Sequence, residues 1–123
     1  MHNEESAENY LETVLLLGAD GKKVRSVDIA RERGFSKPTV SIALKKLVGK
    51  GYVDIGDDLS VSLTGEGRKI AEMIYERHRL ITRMLVDIGV DEQTAAQDAC
   101  RIEHDISEES FAKLKIFYES LKK

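Results

Sequence analysis

The sequence predicts a mainly α-helical chain, interrupted in its first half by one small β-hairpin. Three observations carry this reading. Apolar residues recur at three- and four-residue spacing over most of the chain. The segment 52–63 changes to a period of two around the turn cluster Gly56-Asp57-Asp58. Residues suited to starting and ending helices, such as Ser36, Pro38, Asp91, Ser107, Gly34 and Gly89, stand where these segments meet.

The elements follow in order. A helix over 6–17 carries Tyr10, Leu11, Val14, Leu15 and Leu17 on one side, with Ser6 as its cap. A short helix over 26–33 starts at Ser26 or its neighbours and ends at Gly34, where a left-handed residue belongs. Ser36 caps the next helix and Pro38 sits in its first turn. That helix runs to about Val48, with Val40, Leu44 and Leu47 as its core stripe. Residues 52–55 and 59–63 alternate as hairpin strands. Thr64 and Gly65-Glu66-Gly67 open a long helix over 65–88, whose apolar positions from Ile70 to Ile88 spread wider than one stripe and so predict burial on two sides. Asp91 caps a helix over 92–104. Ser107 caps a last helix with Glu108 and Glu109 in its first turn and an apolar face of Phe111, Leu114, Phe117, Tyr118 and Leu121.

The 123 residues suffice for one domain or two small lobes sharing a core. Hydrophobic residues are 41% and charged residues 33%, which supplies a core and is unlike a wholly disordered chain. The single cysteine excludes an internal disulfide and points to a reducing, cytoplasmic setting. No apolar run approaches the roughly 20 residues that span a bilayer, so no membrane role is expected. The acidic start, Met1-His2-Asn3-Glu4-Glu5, is unlike a signal or transit peptide.

The net charge of −3 hides an asymmetry: −5 over 1–21, +7 over 22–51 and −5 over 52–123. A basic island in an acidic chain suits a phosphate-facing surface. The island covers short helix, tight turn, second helix and the approach to the hairpin, the order of a winged helix-turn-helix, whose second helix enters the major groove of double-stranded DNA with its first residues toward the bases. Ser36, Lys37, Thr39 and Ser41 line that start, with Pro38 in the same turn, while Arg25, Arg31, Arg33 and Lys37 are placed to neutralise phosphates. Asp57 and Asp58 at the wing tip argue against phosphate contacts there.

In the second half, Cys100, Glu103 and His104 are spaced i, i+3 and i+4, so a thiolate, a carboxylate and an imidazole share one helix face. All three are ligands for first-row transition metals. His78 and Glu12 are further candidates, and Asn9, one turn before Glu12, offers an amide oxygen. No oxyanion device or orienting third group accompanies the Cys–His pair, so the chain is not expected to be an enzyme.

This order of elements resembles the diphtheria toxin repressor family of metal-dependent transcriptional regulators, which has an iron branch and a manganese branch. The resemblance rests on Lys37-Pro38-Thr39-Val40-Ser41, Glu76-Arg77-His78-Arg79-Leu80 and Asp98-Ala99-Cys100-Arg101-Ile102-Glu103-His104, and covers nearly the whole chain. It implies a homodimer, with a DNA-binding winged helix in 1–64 and a helical dimerisation and metal-sensing region in 65–123. It implies Glu12, His78, Cys100, Glu103 and His104 as metal ligands, with position 9 as a further one. Asn9 departs from the Met of the iron branch and the Asp of the manganese branch. Cys100 is similar to the iron branch and Glu12 to the manganese branch. Thr82 and Ala96 stand where the iron branch's ancillary site has an acid and a second histidine, and its SH3-like third domain is expected to be lacking. A thiolate ligand favours softer ions than Mn²⁺. Fe²⁺ is therefore expected first, then Mn²⁺, with Zn²⁺, Co²⁺ or Ni²⁺ as occupants in vitro.

The sequence thus predicts a cytoplasmic, metal-activated homodimeric repressor of metal-homeostasis genes that binds palindromic operators. Two other readings stay open: a winged-helix regulator that ignores metal or senses oxidation through Cys100, and a protein-interaction module without DNA binding.

Overall fold

In the computed structural model, the backbone of residues 2–122 and the side chains of residues 7–122 are described. The chain forms two compact units, Met1–Glu72 and Met73–Lys123. The first unit contains helix α1 (His2–Leu17), strand β1 (Val24–Arg25), helices α2 (Ser26–Arg33) and α3 (Lys37–Gly49), strands β2 (Val53–Ile55) and β3 (Ser60–Leu63), and the opening turns of α4 (Gly65–Asp87). The second contains the rest of α4, then α5 (Glu92–Asp105) and α6 (Glu108–Leu121).

Helix α1 begins at His2, so Ser6 lies inside the helix and does not precede it as a cap; its side chain is outside the described residues. Tyr10, Leu11 and Val14 face the core, where they meet Ile29 and Ala30 of α2 and Val40, Leu44 and Leu47 of α3. Helix α2 is capped from Arg25, whose backbone N–H donates to Asp28 Oδ2 at 2.9 Å, half of a capping box. Gly34 ends it with φ 71°, the left-handed value that a Cβ disfavours. Ser36 caps α3 as expected, accepting from the Thr39 N–H at 3.3 Å.

The hairpin is present, joined by a strand that periodicity did not reveal. The sheet order is β1-β3-β2, antiparallel throughout. Val24 pairs with Val61 and Arg25 with Ser60, while Ile55 pairs with Val61 from the other side. The wing turn closes through Leu59 N–H to Gly56 O at 2.9 Å. Asp58 Oδ1 accepts from the Ser60 N–H and hydroxyl, and its Oδ2 accepts from Lys23 Nζ at 2.6 Å. The Lys23 ammonium, with the two Ser60 donors, holds the Asp58 carboxyl well below the usual carboxylate range.

In α4 the buried positions Ala71, Ile74, Arg77 and Ile81 make one stripe rather than two. The flanking Ile70, Met73, Met84 and Leu85 are half-buried, and Ile88 lies beyond the helix end, exposed. Asp91 caps α5 by accepting from Gln93 and Thr94 N–H, and Ser107 caps α6 by accepting from Ser110 N–H at 3.0 Å. The covered face of α6 is narrower than its sequence pattern: Phe111 and Tyr118 are buried, but Phe117 and Leu121 are 60% and 64% exposed. Tyr118 donates its hydroxyl proton to Asp87, which Lys122 also approaches at 3.2 Å, tying α6 to the end of α4.

The junction of wing and α4 is tight. Thr64 N–H donates to Tyr52 O, and the Thr64 hydroxyl donates to Gly51 O at 2.6 Å while accepting from Gly67 N–H. A Cβ on Gly67 would fall 2.0 Å from Tyr52 O, whereas one on Gly65 would meet nothing within 4 Å. Because the obstacle is hydrogen-bonded backbone, Gly67→Ala is expected to destabilise the protein by about 1–3 kcal/mol in denaturant unfolding, while Gly65→Ala leaves stability near that of the unmodified chain. Equal midpoints for the two variants would contradict the packing at Tyr52.

Candidate metal centre and nucleic-acid interface

In the second unit Glu103 is the residue that the other candidate ligands meet. Cys100, Glu103 and His104 lie on one face of α5 and His78 on α4. The ligand atoms of Cys100, Glu103 and His104 lie within 4.8 Å of one another. Glu103 is fully buried. Its Oε1 is 2.8 Å from His78 Nδ1 and its Oε2 is 3.5 Å from His104 Nε2. The His104 side chain is buried and Cys100 is half-buried. Among the described residues no hydrogen-bond donor satisfies Glu103 Oε2.

A carboxylate removed from water needs a compensating positive charge or a full set of donors. Two imidazoles supply part of this, and one oxygen is left over. The Cys100 thiol, the orphaned Glu103 oxygen and the His104 imidazole, gathered on one helix face, fit a divalent transition ion, which accepts N, O and S donors together, while His78 meets the other oxygen of the same carboxylate. Of the other predicted ligands, Glu12 is buried and Asn9 half-buried, both on α1 in the first unit.

Arg77 is a residue that the sequence reading passed over. It is buried, and its Nη1 donates to Glu103 O at 3.0 Å and to Ile106 O at 2.7 Å. Its guanidinium lies over the Phe111 ring, 5.5 Å from the centroid. It therefore fixes the end of α5, where a helix leaves carbonyls without intrahelical partners, and so fixes the backbone that carries two candidate ligands. The available signal was its position: three residues after Ile74 and four before Ile81, in the middle of the buried stripe of α4.

In the first unit, Ser36, Lys37, Pro38, Thr39 and Ser41 are all exposed at the start of α3, and Arg25 and Arg31 are exposed beside them. Arg33 is half-buried, its guanidinium 5.9 Å from the centroid of the Phe35 ring. Arg31 approaches Asp28 at 3.7 Å, and Arg25 Nε reaches Asp58 O at 3.4 Å. The Ser36 and Thr39 hydroxyls share a 2.8 Å hydrogen bond, so part of their capacity is used within the helix cap. Lys45, Lys46 and Lys50 are exposed further along α3. No helix among the described residues is long and apolar enough to cross a membrane.

Two family models match. Residues 3–61 match the N-terminal DNA-binding domain of iron-dependent repressors, and residues 64–123 match their metal-binding and dimerisation domain. The chain is 34% identical over 116 residues to the transcriptional regulator MntR of Escherichia coli O157:H7, covering 94% of this chain and 75% of that one. It is 36% identical over 106 residues to the diphtheria toxin repressor of Corynebacterium glutamicum, covering 85% and 46%. The solved structure of the manganese regulator SloR superposes with a TM-score of 0.83 at 27% identity, covering 92% of this chain and 53% of that one. The chain thus spans about half the length of the last two.

Arg77→Ala removes two charge-assisted hydrogen bonds and the ring contact. It is expected to cost about 2–4 kcal/mol, read as a lower thermal midpoint with loss of near-ultraviolet signal from the aromatic residues of α6. A change confined to experimental error would show that Arg77 does not hold α5.

Proposed function

This chain belongs to the iron-dependent repressor family of metal-dependent transcriptional regulators, and from that premise we propose that it is a cytoplasmic, homodimeric repressor activated by Fe²⁺ or Mn²⁺. It is a regulator rather than an enzyme, as its relatives are. The proposed targets are palindromic operators of metal-homeostasis genes, read by residues 1–64. Residues 65–123 would supply dimerisation and metal sensing.

The observation that carries the reading is Glu103: fully buried, beside a thiol and two imidazoles, with one oxygen lacking a donor among the described residues. We assign His78, Cys100, Glu103 and His104 as ligands, with Glu12 and Asn9 as the further ligands that family membership implies. When bound, the ion supplies the positive charge that this buried carboxylate needs. The Cys100 thiolate favours Fe²⁺ over the harder Mn²⁺. His78 and His104 would offer it imidazole nitrogens. Arg77 holds the last turn of α5, the segment that carries Glu103 and His104. At the DNA, the exposed bases of α2 and α3 neutralise phosphates, and the start of α3 faces the base edges.

Metal can drive this switch only by binding the DNA-competent state more tightly than the other state. Glu12 and Asn9 are the ligand candidates carried by the half of the chain that reads DNA, and Glu12 is the charged one of the two, so we assign it that role. The test uses purified, metal-stripped protein and a library of AT-rich palindromes, with and without Fe²⁺ or Mn²⁺ under anaerobic conditions. Binding is expected only with metal, and the more potent ion identifies the branch. Glu12→Ala is expected to keep the dimer and lose metal-dependent binding. Metal-independent binding by the unmodified protein, or an unchanged metal response in Glu12→Ala, contradicts the proposal.

A further inference from the structure

We infer that Ile42, on the outward face of α3, reads the C5-methyl group of thymine in the operator. The inference rests on the repressor reading above and adds a base preference to it.

The buried stripe of α3 is Val40, Leu44 and Leu47. At about 100° per residue, Ile42 stands roughly opposite that stripe, and it is 59% exposed. Pro38, one turn earlier on the same side, is also exposed. The face turned away from the core therefore carries an apolar ridge at the end of the helix that enters the major groove. Lys45 and Lys46, three and four residues on from Ile42, are exposed beside it and can take the phosphates.

Single exposed apolar residues are ordinary on protein surfaces. On a helix that faces base edges the chemistry is more restrictive. An isoleucine makes no hydrogen bond, and among the major-groove edges thymine alone presents a methyl group. Opposite cytosine, the same side chain covers an N4 amino group without satisfying it. The nearby hydroxyls do not restore polar readout in full, because Ser36 and Thr39 bond to each other and to the helix cap. Discrimination at this position thus falls to the methyl.

The test selects a site from random duplexes with the Mn²⁺- or Fe²⁺-loaded protein, then replaces each thymine in turn by deoxyuridine. Uracil keeps every hydrogen-bonding group and lacks the methyl. The unmodified protein is expected to lose about fourfold in affinity at one thymine in each half-site, the factor implied by one methyl losing its burial. Ile42→Ala should bind the thymine and uracil duplexes equally, with the salt dependence of the unmodified protein, because Ile42 touches no phosphate. Ile42→Val should keep part of the uracil penalty and covers the case in which the alanine variant binds too weakly to measure. Insensitivity to uracil at every position, or a full penalty retained in Ile42→Ala, overturns the inference alone. Failure to select any site overturns the repressor reading, and this inference with it.

Discussion

The burial of the Glu103 carboxylate is the constraint on which the rest of the second unit depends. An ionised carboxylate out of water costs several kcal/mol unless charge and hydrogen bonds compensate it. Here His78 meets one oxygen at 2.8 Å and His104 stands 3.5 Å from the other. Both imidazoles are held by helices that also bury Ala95 and Ala99 on α5 and Ile74 and Ile81 on α4. Arg77 is itself a buried cation, yet it spends its Nη1 on two backbone carbonyls rather than on the Glu103 carboxylate. The carboxylate is thereby left as an acceptor in excess of its donors. A fold with that property gains stability from any cation that fits the pocket, by the ordinary linkage between binding and folding.

The first unit follows a different economy of charge. Its core is an apolar cluster from α1, α2, α3, the sheet and the start of α4. Its cations are on the outside and unevenly engaged. Lys23 is bound to Asp58 in the wing, and Arg31 lies near Asp28. The lysines of α3 lie in a stretch without acids: between Glu32 and Asp54 the chain carries no acidic residue. Electrostatic affinity for a polyanion therefore concentrates on α3 rather than on the wing, whose second acid, Asp57, adds further negative charge at the tip.

Much of this was legible in the sequence because it is local. Ser36, Asp91 and Ser107 act as caps within three residues of themselves, and Gly34 needs only its own φ. Cys100, Glu103 and His104 needed only helix spacing. What was not legible depends on packing. Strand β1 is two residues long and leaves no period. Phe117 and Leu121 continue the apolar pattern of α6, but periodicity does not say how wide a strip the neighbouring helix covers, and these two stay exposed. The meeting of His78 with Glu103, 25 residues away, follows from how α4 packs on α5. Arg77 reads as one more charge in the Arg77-His78-Arg79 run, and only its place in the buried stripe separates it from its neighbours.

The central claim is that Cys100 and its neighbours form a transition-metal site. Co²⁺ tests it most directly, because a cobalt–thiolate bond adds a charge-transfer band in the near ultraviolet that oxygen and nitrogen ligands alone do not give. Metal-stripped, reduced protein would be titrated with Co²⁺ under anaerobic conditions, beside Cys100→Ser. The account predicts a saturable charge-transfer band in the unmodified protein that is absent from the variant, with the visible cobalt bands retained in both. Saturable cobalt binding without the thiolate band, or no saturable binding, would contradict it.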